Sequence, residues 1–239
     1  MKRYSVFVAV CVLMSVLYVL PAFAAAGGNQ SIAEDIARLL GEKFNPESVS
    51  VTVLDSHAYA EMYGAILSKI RIDSMRLEAV LNDVPKSVSG DANSLARYIA
   101  LSKGEIVLKE KDVNSYFAKN EKGGFSNLAF DFTSKGFKAS GKYTGTFLFT
   151  ITIRLNAEGV LALKPDGVYL DKVSIFVEKV RQPQAITDQI IKRVNPLVEF
   201  KEIPFPVTFK KITMNGTEAK MTGFPQKFKG GVTAVWMRP

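Results

Sequence analysis

Residues 142–155 have the sequence KYTGTFLFTITIRL, in which apolar and polar side chains largely alternate. Six of the odd positions carry large apolar residues, namely Tyr143, Phe147, Phe149, Ile151, Ile153 and Leu155. A period of two is typical of a β-strand with one buried and one solvated face. At about 3.3 Å per residue, one strand over this stretch would be roughly 40 Å long, about twice the usual length. We therefore predict a tall, curled antiparallel sheet.

The flanking sequence predicts further strands and four short amphipathic helices. Strands are predicted at residues 49–54, 66–81, 105–109, 160–163, 168–180, 205–209 and 211–221, with a turn at 157–159. Helices are predicted at residues 31–40, 91–99, 112–117 and 185–194, starting from Ser31, Asp91, Asp112 and Pro183. The predicted fold class is α+β, a long, curled antiparallel β-sheet packed against a few short amphipathic helices, with an apolar groove.

The first 24 residues have the three parts of a secretory signal peptide. Lys2 and Arg3 form a basic start, residues 4–20 are uncharged, and Ala22-Phe23-Ala24 is an A-x-A cleavage site. We expect cleavage after this site and an exported protein of the periplasm or cell envelope. The alternative is an uncleaved anchor, because an uncharged run of about 17 residues is at the lower limit for a spanning helix.

Composition excludes several kinds of site. The 239 residues are 47% hydrophobic and 23% charged, as in a folded domain. A zinc site, an iron–sulfur cluster or a Cys–His pair needs more than the one histidine and one cysteine present. We therefore expect no metal and no cofactor. The predicted organisation is a domain at residues 25–223, held by its core and not by disulfides, and a C-terminal tail at 224–239.

The order of segments in the second half resembles a known family. Long strands are followed by a helix that ends at Asn195-Pro196, then by Ile203-Pro204-Phe205-Pro206, a strand, Asn215-Gly216 and Thr222-Gly223. Over residues 31–223 this order resembles the LmeA-like phospholipid-binding proteins of bacterial cell envelopes. The resemblance implies a curled sheet against helices, similar to tubular lipid-binding proteins, and an apolar groove that binds phospholipid. It implies no catalytic residues.

The alternation itself also favours a lipid groove. An apolar sheet face has to be covered by helices, a second sheet or a ligand, and four short helices leave part of a long face uncovered. The alternative for each single residue is an ordinary place in the core. The groove candidates are Phe130, Phe132, Tyr143, Phe147, Phe149, Ile151, Ile153, Val173, Ile175 and Val177.

The net charge of +8 favours anionic partners. The candidates for contact with lipid head groups are Lys192, Arg193, Lys210 and Lys211. A solvated surface is the alternative for these four residues. We expect phospholipid or another acyl-chain lipid as the partner and an anionic membrane surface as a second one. Nucleic acid is a poor candidate, because the chain is expected to be exported and has no recognisable nucleic-acid module.

Two other classes of function stay open at this stage. An enzyme would need a Ser–Lys pair or a carboxylate pair such as Glu199 and Glu202, and nothing in the sequence places such groups together. A structural envelope protein would have a closed core and would pack its sheet on a partner, through edge strands or a sheet face. We therefore expect a binding protein and not an enzyme.

Overall fold

The computed structural model describes residues 20–82, 87–121, 124–146 and 150–239, with side chains described from Gly28 onward. These residues form thirteen strands in two antiparallel sheets, three α-helices and two 3₁₀-helices. The helices are α1 (Leu20–Phe44), α2 (Glu110–Lys119) and α3 (Gln184–Ile191), with 3₁₀ turns at Ala92–Arg97 and Phe200–Glu202. The predicted α+β class, built mostly from antiparallel strands, is confirmed.

The first sheet has seven strands. They are β1 (Ser48–Leu54), β2 (His57–Leu67), β3 (Ile70–Leu81), β4 (Ile99–Lys109), β11 (Lys211–Met214), β12 (Glu218–Thr222) and β13 (Val232–Met237). Their order across the sheet is β11-β12-β4-β3-β2-β1-β13. Helix α1 covers one face of the sheet, because Ile32, Leu39 and Leu40, which recur at helical spacing, are all buried.

The second sheet carries the stretch quoted first. Its strands are β5 (Phe125–Thr133), β6 (Gly136–Thr146), β7 (Thr150–Lys164), β8 (Gly167–Val177), β9 (Val180–Arg181) and β10 (Val198–Glu199). The order is β10-β8-β7-β6-β5, and β9 pairs with the far end of β8. Helix α2 packs on β5 and helix α3 on β8.

The end of the β2–β3 hairpin joins the two sheets. The Ser68 amide donates to the Glu202 carboxylate at 2.6 Å, and the Glu199 amide donates to the Ser68 hydroxyl at 2.9 Å. Helix α2 also contacts β3 and β4 as well as β5. The buried side chains of both sheets consequently form one continuous core.

The single long strand predicted over residues 142–155 is wrong. The chain reverses between Thr146 and Thr150, and β6 pairs with β7 as a hairpin in which Tyr143 faces Ile153 and Gly145 faces Ile151. Because each pair joins two odd positions, the odd side chains still share one face of the sheet. On the other face the hydroxyls of Thr144 and Thr152 are 3.0 Å apart. The alternation thus predicts the faces correctly and misses the reversal.

Several element boundaries also differ from the prediction. The turn predicted at 157–159 lies inside β7, where the pairing with β8 shifts between Glu158 and Val160. Of the strand predicted at 205–209, only Thr208 pairs, through an isolated bridge to Lys103. Asp91 caps a helix as predicted, but that helix is a single 3₁₀ segment, and β4 begins at Ile99.

Helix α1 is longer than the predicted helix at 31–40. It already includes Leu20, so Ser31 is an interior residue and not the cap. Residues 1–19, which hold most of the predicted signal peptide, lie outside the described residues. No helix among the described residues has the length and hydropathy needed to span a membrane.

Residues 224–239, which the sequence sets apart as a tail, belong to the fold. They first cross the outer face of the first sheet, where the Gln226 amide donates to Glu78 at 2.8 Å. Strand β13 then pairs with β1 from Ser48 to Val53. The Trp236 indole lies directly against Gly41 of α1. The last strand therefore forms one edge of the sheet and holds α1 on it.

Candidate functional site

An open pocket of about 420 Å³ lies between the end of the β6–β7 hairpin and helix α3. Its volume is within the range of about 300–1,000 Å³ that is usual for small-molecule sites. The lining residues are Tyr143, Gly145, Ile151, Ile153, Ile186, Gln189, Ile190 and Arg193. The pocket is therefore mainly apolar, with polar groups contributed from the helix side.

The hairpin wall follows from the alternation of β6 and β7. Cross-strand partners share a face, so Tyr143, Ile153 and Ile151 all point to the pocket side. The Tyr143 ring is fixed by the buried Phe125, with 5.0 Å between ring centroids. Ile151 is 46% exposed, which is high for an isoleucine on the covered face of a sheet. This wall is thus packed against the core at Tyr143 and open to water at Ile151.

The helix wall is built from two pairs of residues one turn apart. Ile186 lies one turn before Ile190, and Gln189 one turn before Arg193, so both pairs present side chains in the same general direction. Ile190 is buried, whereas Ile186 is 45% exposed and borders the opening. The apolar stripe of this helix is therefore only partly covered by the protein.

The end of the helix is held on β8 by Asn195. The Leu170 amide donates to Asn195 Oδ1 at 2.8 Å, and Asn195 Nδ2 donates to the Leu170 carbonyl at 2.9 Å. Two hydrogen bonds in opposite directions fix both the position and the orientation of this turn. Arg193, two residues earlier, is consequently held at a defined place beside the pocket.

Arg193 brings a positive charge to the pocket. Its guanidinium carbon lies 5.9 Å from the centre of the Tyr143 ring, at the limit of a cation–π contact. Among the described residues, no carboxylate lies within ion-pairing distance of it. The arrangement therefore combines an apolar cavity with an exposed cation that has no anionic partner in this part of the chain.

Beyond the pocket, the same face of the sheet is closed by α3 and the residues after it. Only a void of about 20 Å³ remains there, lined by apolar side chains that include Ile191 and Val194. Phe130, Phe132, Val173 and Ile175 are at most 5% exposed and belong to the core, and Val177 is half-buried against it. Among the described residues, this apolar face is thus open at its hairpin end and closed by α3 beyond it.

The structure brings together four of the residues selected from the sequence. Tyr143, Ile151 and Ile153 share the pocket with Arg193, and Lys192 is exposed next to Arg193. Phe147 and Phe149 lie outside the described residues.

The other two basic candidates, Lys210 and Lys211, form a second cluster away from Lys192 and Arg193. Lys210 borders a different pocket with Leu163, and Lys211 begins β11. Because Ile153 and Leu163 are ten residues apart on β7, the two clusters are separated by about 33 Å along the strand.

That second pocket, of about 430 Å³, is the weaker candidate. Its aromatic residues Phe200 and Phe209 pack on each other with 4.6 Å between ring centroids, and neither is exposed. In the first pocket, by contrast, two isoleucines leave almost half of their surface in water. An apolar ligand that covers such a surface gains hydrophobic free energy.

Sequence reasoning missed half of the pocket. Gly145 was not selected, because residues 142–155 were predicted to form one strand instead of a hairpin. Ile186 and Ile190 were recognised only as the apolar stripe of a helix, and the sequence contains no sign that the stripe is partly uncovered. Gln189 carries no signal of its own.

The other chemical candidates are occupied in structural contacts. Glu199 pairs with Lys201 at 2.5 Å, and Glu202 accepts from the Ser68 amide. Within the described ranges, no group of three or more His, Cys, Asp or Glu residues is placed to hold a metal ion.

A family model described as LmeA-like phospholipid-binding matches residues 56–224. The match contains both walls of the pocket and leaves out α1 and β13. It confirms the resemblance seen in the order of segments, although it begins after residue 31. Neither a curated protein nor a solved structure matches the chain.

Proposed function

The chain belongs to the LmeA-like phospholipid-binding family, and on this basis we propose that it binds a phospholipid, or another acyl-chain lipid, in the pocket between the β6–β7 hairpin and α3. The observation that carries the proposal is the meeting, at one opening, of exposed isoleucines and of Arg193, which has no carboxylate partner among the described residues. The role is binding for lipid carriage or envelope maintenance, without catalysis. The described lining, which has no carboxylate, histidine, serine or cysteine, supports a binding role.

The apolar side of the pocket suits an acyl chain. Ile151 and Ile186 are 46% and 45% exposed on opposite walls, and the buried Ile190 lies between them and the core. An acyl chain that covers a few hundred Å² of such surface gains several kcal/mol at about 25 cal/mol per Å². Binding of this kind needs no specific polar contact, which explains why the sequence shows no binding motif.

Arg193 suits the other end of a phospholipid. A guanidinium presents paired donors that match the oxygens of a phosphate. The Tyr143 ring and the Asn195 contacts to β8 keep this guanidinium beside the opening. The head group would lie outward at Arg193, and the acyl chain would run inward towards Ile153 and Ile190.

Export is part of the proposal. It is supported by the basic start, the apolar run and the A-x-A site of residues 1–24. An exported lipid-binding protein would meet its ligand at a membrane of the cell envelope.

Native mass spectrometry of protein extracted under mild conditions tests the pocket. We expect the purified protein to carry a phospholipid mass. Ile151→Asn should lower the occupied fraction several-fold, because an amide in the apolar wall loses its hydration when lipid covers it. The matched control is Val235→Asn, since Val235 is also an exposed β-branched strand residue, 65% exposed on β13, far from the pocket.

Two results would contradict the proposal. Equal loss of lipid in both variants would assign the effect to general destabilisation, which thermal unfolding of the two proteins would show directly. An empty protein, above all an empty dimer, would support the structural alternative with a closed core.

A further inference from the structure

The end of the second sheet that holds the pocket carries unusual charges. The basic end consists of the cations Lys142, Arg154, Lys179, Arg181 and Arg193, together with the exposed apolar residues Ile151, Val180 and Ile186. Among the described residues, none of these five cations has an ion-pair partner. In the first sheet, Arg71, Arg76, Lys103 and Lys220 each do.

Two of these cations face each other. Lys142 of β6 lies directly opposite Arg154 of β7 on the outer face of the hairpin. Like charges in this position destabilise a sheet, so the arrangement has an energetic cost without a structural benefit. Arg181 lies on the same face. It pairs with Phe176 of β8, and Phe176 pairs with Asn156 of β7. Asn156 is two residues after Arg154 and therefore shares its face. On the outer face of this end, Lys142, Arg154 and Arg181 therefore form a row of positive charge without ion-pair partners among the described residues.

Acidic residues do not balance the row. Asp188 on α3 accepts a hydrogen bond from Gln184 at 2.8 Å, and Glu178 lies exposed in the turn between β8 and β9. The five cations thus outnumber these two carboxylates of α3 and of the β8–β9 turn. A surface with this charge is complementary to an anionic partner.

The apolar residues lie on the inner side of the same end. Val180 pairs with Val177, whose side chain packs on the core, so Val180 shares the face of Ile151. It is 65% exposed. Apolar side chains next to a row of cations, at one end of an elongated sheet, match the two layers of a bilayer interface, where phosphates lie outside the acyl chains.

We propose that the basic end docks on the surface of an anionic bilayer, with Ile151, Val180 and Ile186 entering the interface and the five cations contacting lipid phosphates. The inference rests on the proposed function, because docking in this orientation places the opening of the lipid pocket against the membrane. A bilayer is favoured over an acidic protein because the apolar residues surround a pocket suited to an acyl chain instead of forming a flat patch.

Sedimentation with vesicles tests the docking. The probes are vesicles of phosphatidylcholine alone and of phosphatidylcholine mixed with phosphatidylglycerol. Each cation near an anionic surface strengthens binding about fivefold, so the double variant Lys142→Gln with Arg154→Gln should bind the mixed vesicles about 25-fold more weakly. The matched control, Lys210→Gln with Lys211→Gln, removes the same charge at the other end of β7 and should change binding less than twofold. Binding by the wild type should weaken as salt shortens the Debye length below about 8 Å.

Folding and lipid carriage can be separated from docking. Removing the opposed charges of Lys142 and Arg154 should leave the melting temperature unchanged or raise it. Neither residue lines the pocket, so the lipid that co-purifies should also be unchanged. Equal weakening by the two double variants, or equal binding to both vesicle types, would overturn the docking proposal. Because Ile151 belongs to both the pocket and the basic end, the charge variant and not Ile151→Asn separates the two proposals. Weakened docking with unchanged co-purified lipid in Lys142→Gln with Arg154→Gln would uphold both, and an empty wild type that still docks would overturn the pocket alone.

Discussion

Arg76 organises the outer face of the first sheet at the scale of single residues. Its Nε donates to Glu61 at 2.7 Å and its Nη1 to Glu105 at 2.8 Å, and Lys220 donates to Glu105 at 2.9 Å. Charges therefore alternate across β2, β3, β4 and β12. Burial raises the pKa of both carboxyl groups, but hydrogen bonds from Arg76, Tyr63 and Lys220 outweigh it, so the pKa values of Glu61 and Glu105 lie below their ordinary value.

Replacing Arg76 tests this set of alternating charges. Arg76→Leu leaves Glu61 and Glu105 on either side of β3 without the cation between them and should lower the free energy of unfolding by about 1–3 kcal/mol. Arg97→Leu is the control, because Arg97 is exposed and has no ion pair within the described residues; its effect should stay within about 0.5 kcal/mol. Urea unfolding of both proteins at neutral pH measures the difference, and equal effects would show that this set of charges adds nothing to stability.

The same variant makes a pH prediction. A carboxyl whose folded pKa is lowered stabilises the fold above its ordinary pKa, near 4.5 here, and this contribution disappears as pH falls through the folded value. The wild type should therefore lose melting temperature below about pH 4.5, and Arg76→Leu should lose less over the same range. Parallel curves for the two proteins would contradict the lowered pKa values.

At the scale of elements, one contact joins the first helix to the last strand. A Cβ atom at Gly41 of α1 would lie 2.5 Å from Cδ2 of Trp236, well inside any normal contact. Gly41→Ala should therefore cost about 1–3 kcal/mol and displace the indole. Trp236 is the one tryptophan of the chain, so its fluorescence reports the displacement directly.

Gly28 provides the control in the same helix. A Cβ there meets no atom within 4 Å, and alanine is favoured over glycine inside a helix by about 0.5–1 kcal/mol. Gly28→Ala should leave the fluorescence unchanged and the stability equal or higher. Destabilisation by both variants alike would mean that the Trp236 contact is not the cause.

The elements also show what the sequence can predict. Alternation defines which side chains share a face, and this predicted Tyr143, Ile151 and Ile153 on one wall. Alternation does not show whether the chain continues or reverses, because a hairpin that pairs odd positions with odd positions keeps the same period of two. Residues 147–149 contain no Gly, Pro, Asn or Asp to signal the reversal, whereas Gly159 suggests a turn and lies inside β7.

The helix wall was beyond prediction for a different reason. Ile186 and Ile190 have the spacing of a core-facing stripe, and whether such a stripe is fully covered depends on how far the helix overlaps the sheet. Overlap is a property of the tertiary packing of α3 on β8. Sequence pattern therefore predicted that the helix is amphipathic and could not predict that it forms a pocket.

At the scale of the whole molecule, the two sheets differ in how they handle charge. The outer face of the first sheet pairs its cations with carboxylates, and the strap at residues 224–230 crosses it. At the pocket end of the second sheet, the cations have no ion-pair partner among the described residues and lie next to exposed apolar side chains. The first sheet, with α1 and β13, thus supplies stability, while the second supplies the surface and pocket proposed to meet lipid.

The fold is compatible with cleavage of the predicted signal peptide. The described side chains of α1 that are buried begin at Ile32, eight residues after the proposed cleavage site. Loss of residues 1–24 would shorten α1 from its outer end without removing any of them.

N-terminal sequencing of the protein from the envelope fraction should therefore start at Ala25, and a chain that begins at Ala25 should melt at the same temperature as the full chain. A chain that begins at Ile36 lacks Ile32 and Ala33 and should lose about 2–5 kcal/mol, because their places in the core are left empty. A protein that still starts at Met1 in the envelope would establish the anchored alternative, in which α1 connects the sheet to an uncleaved apolar segment.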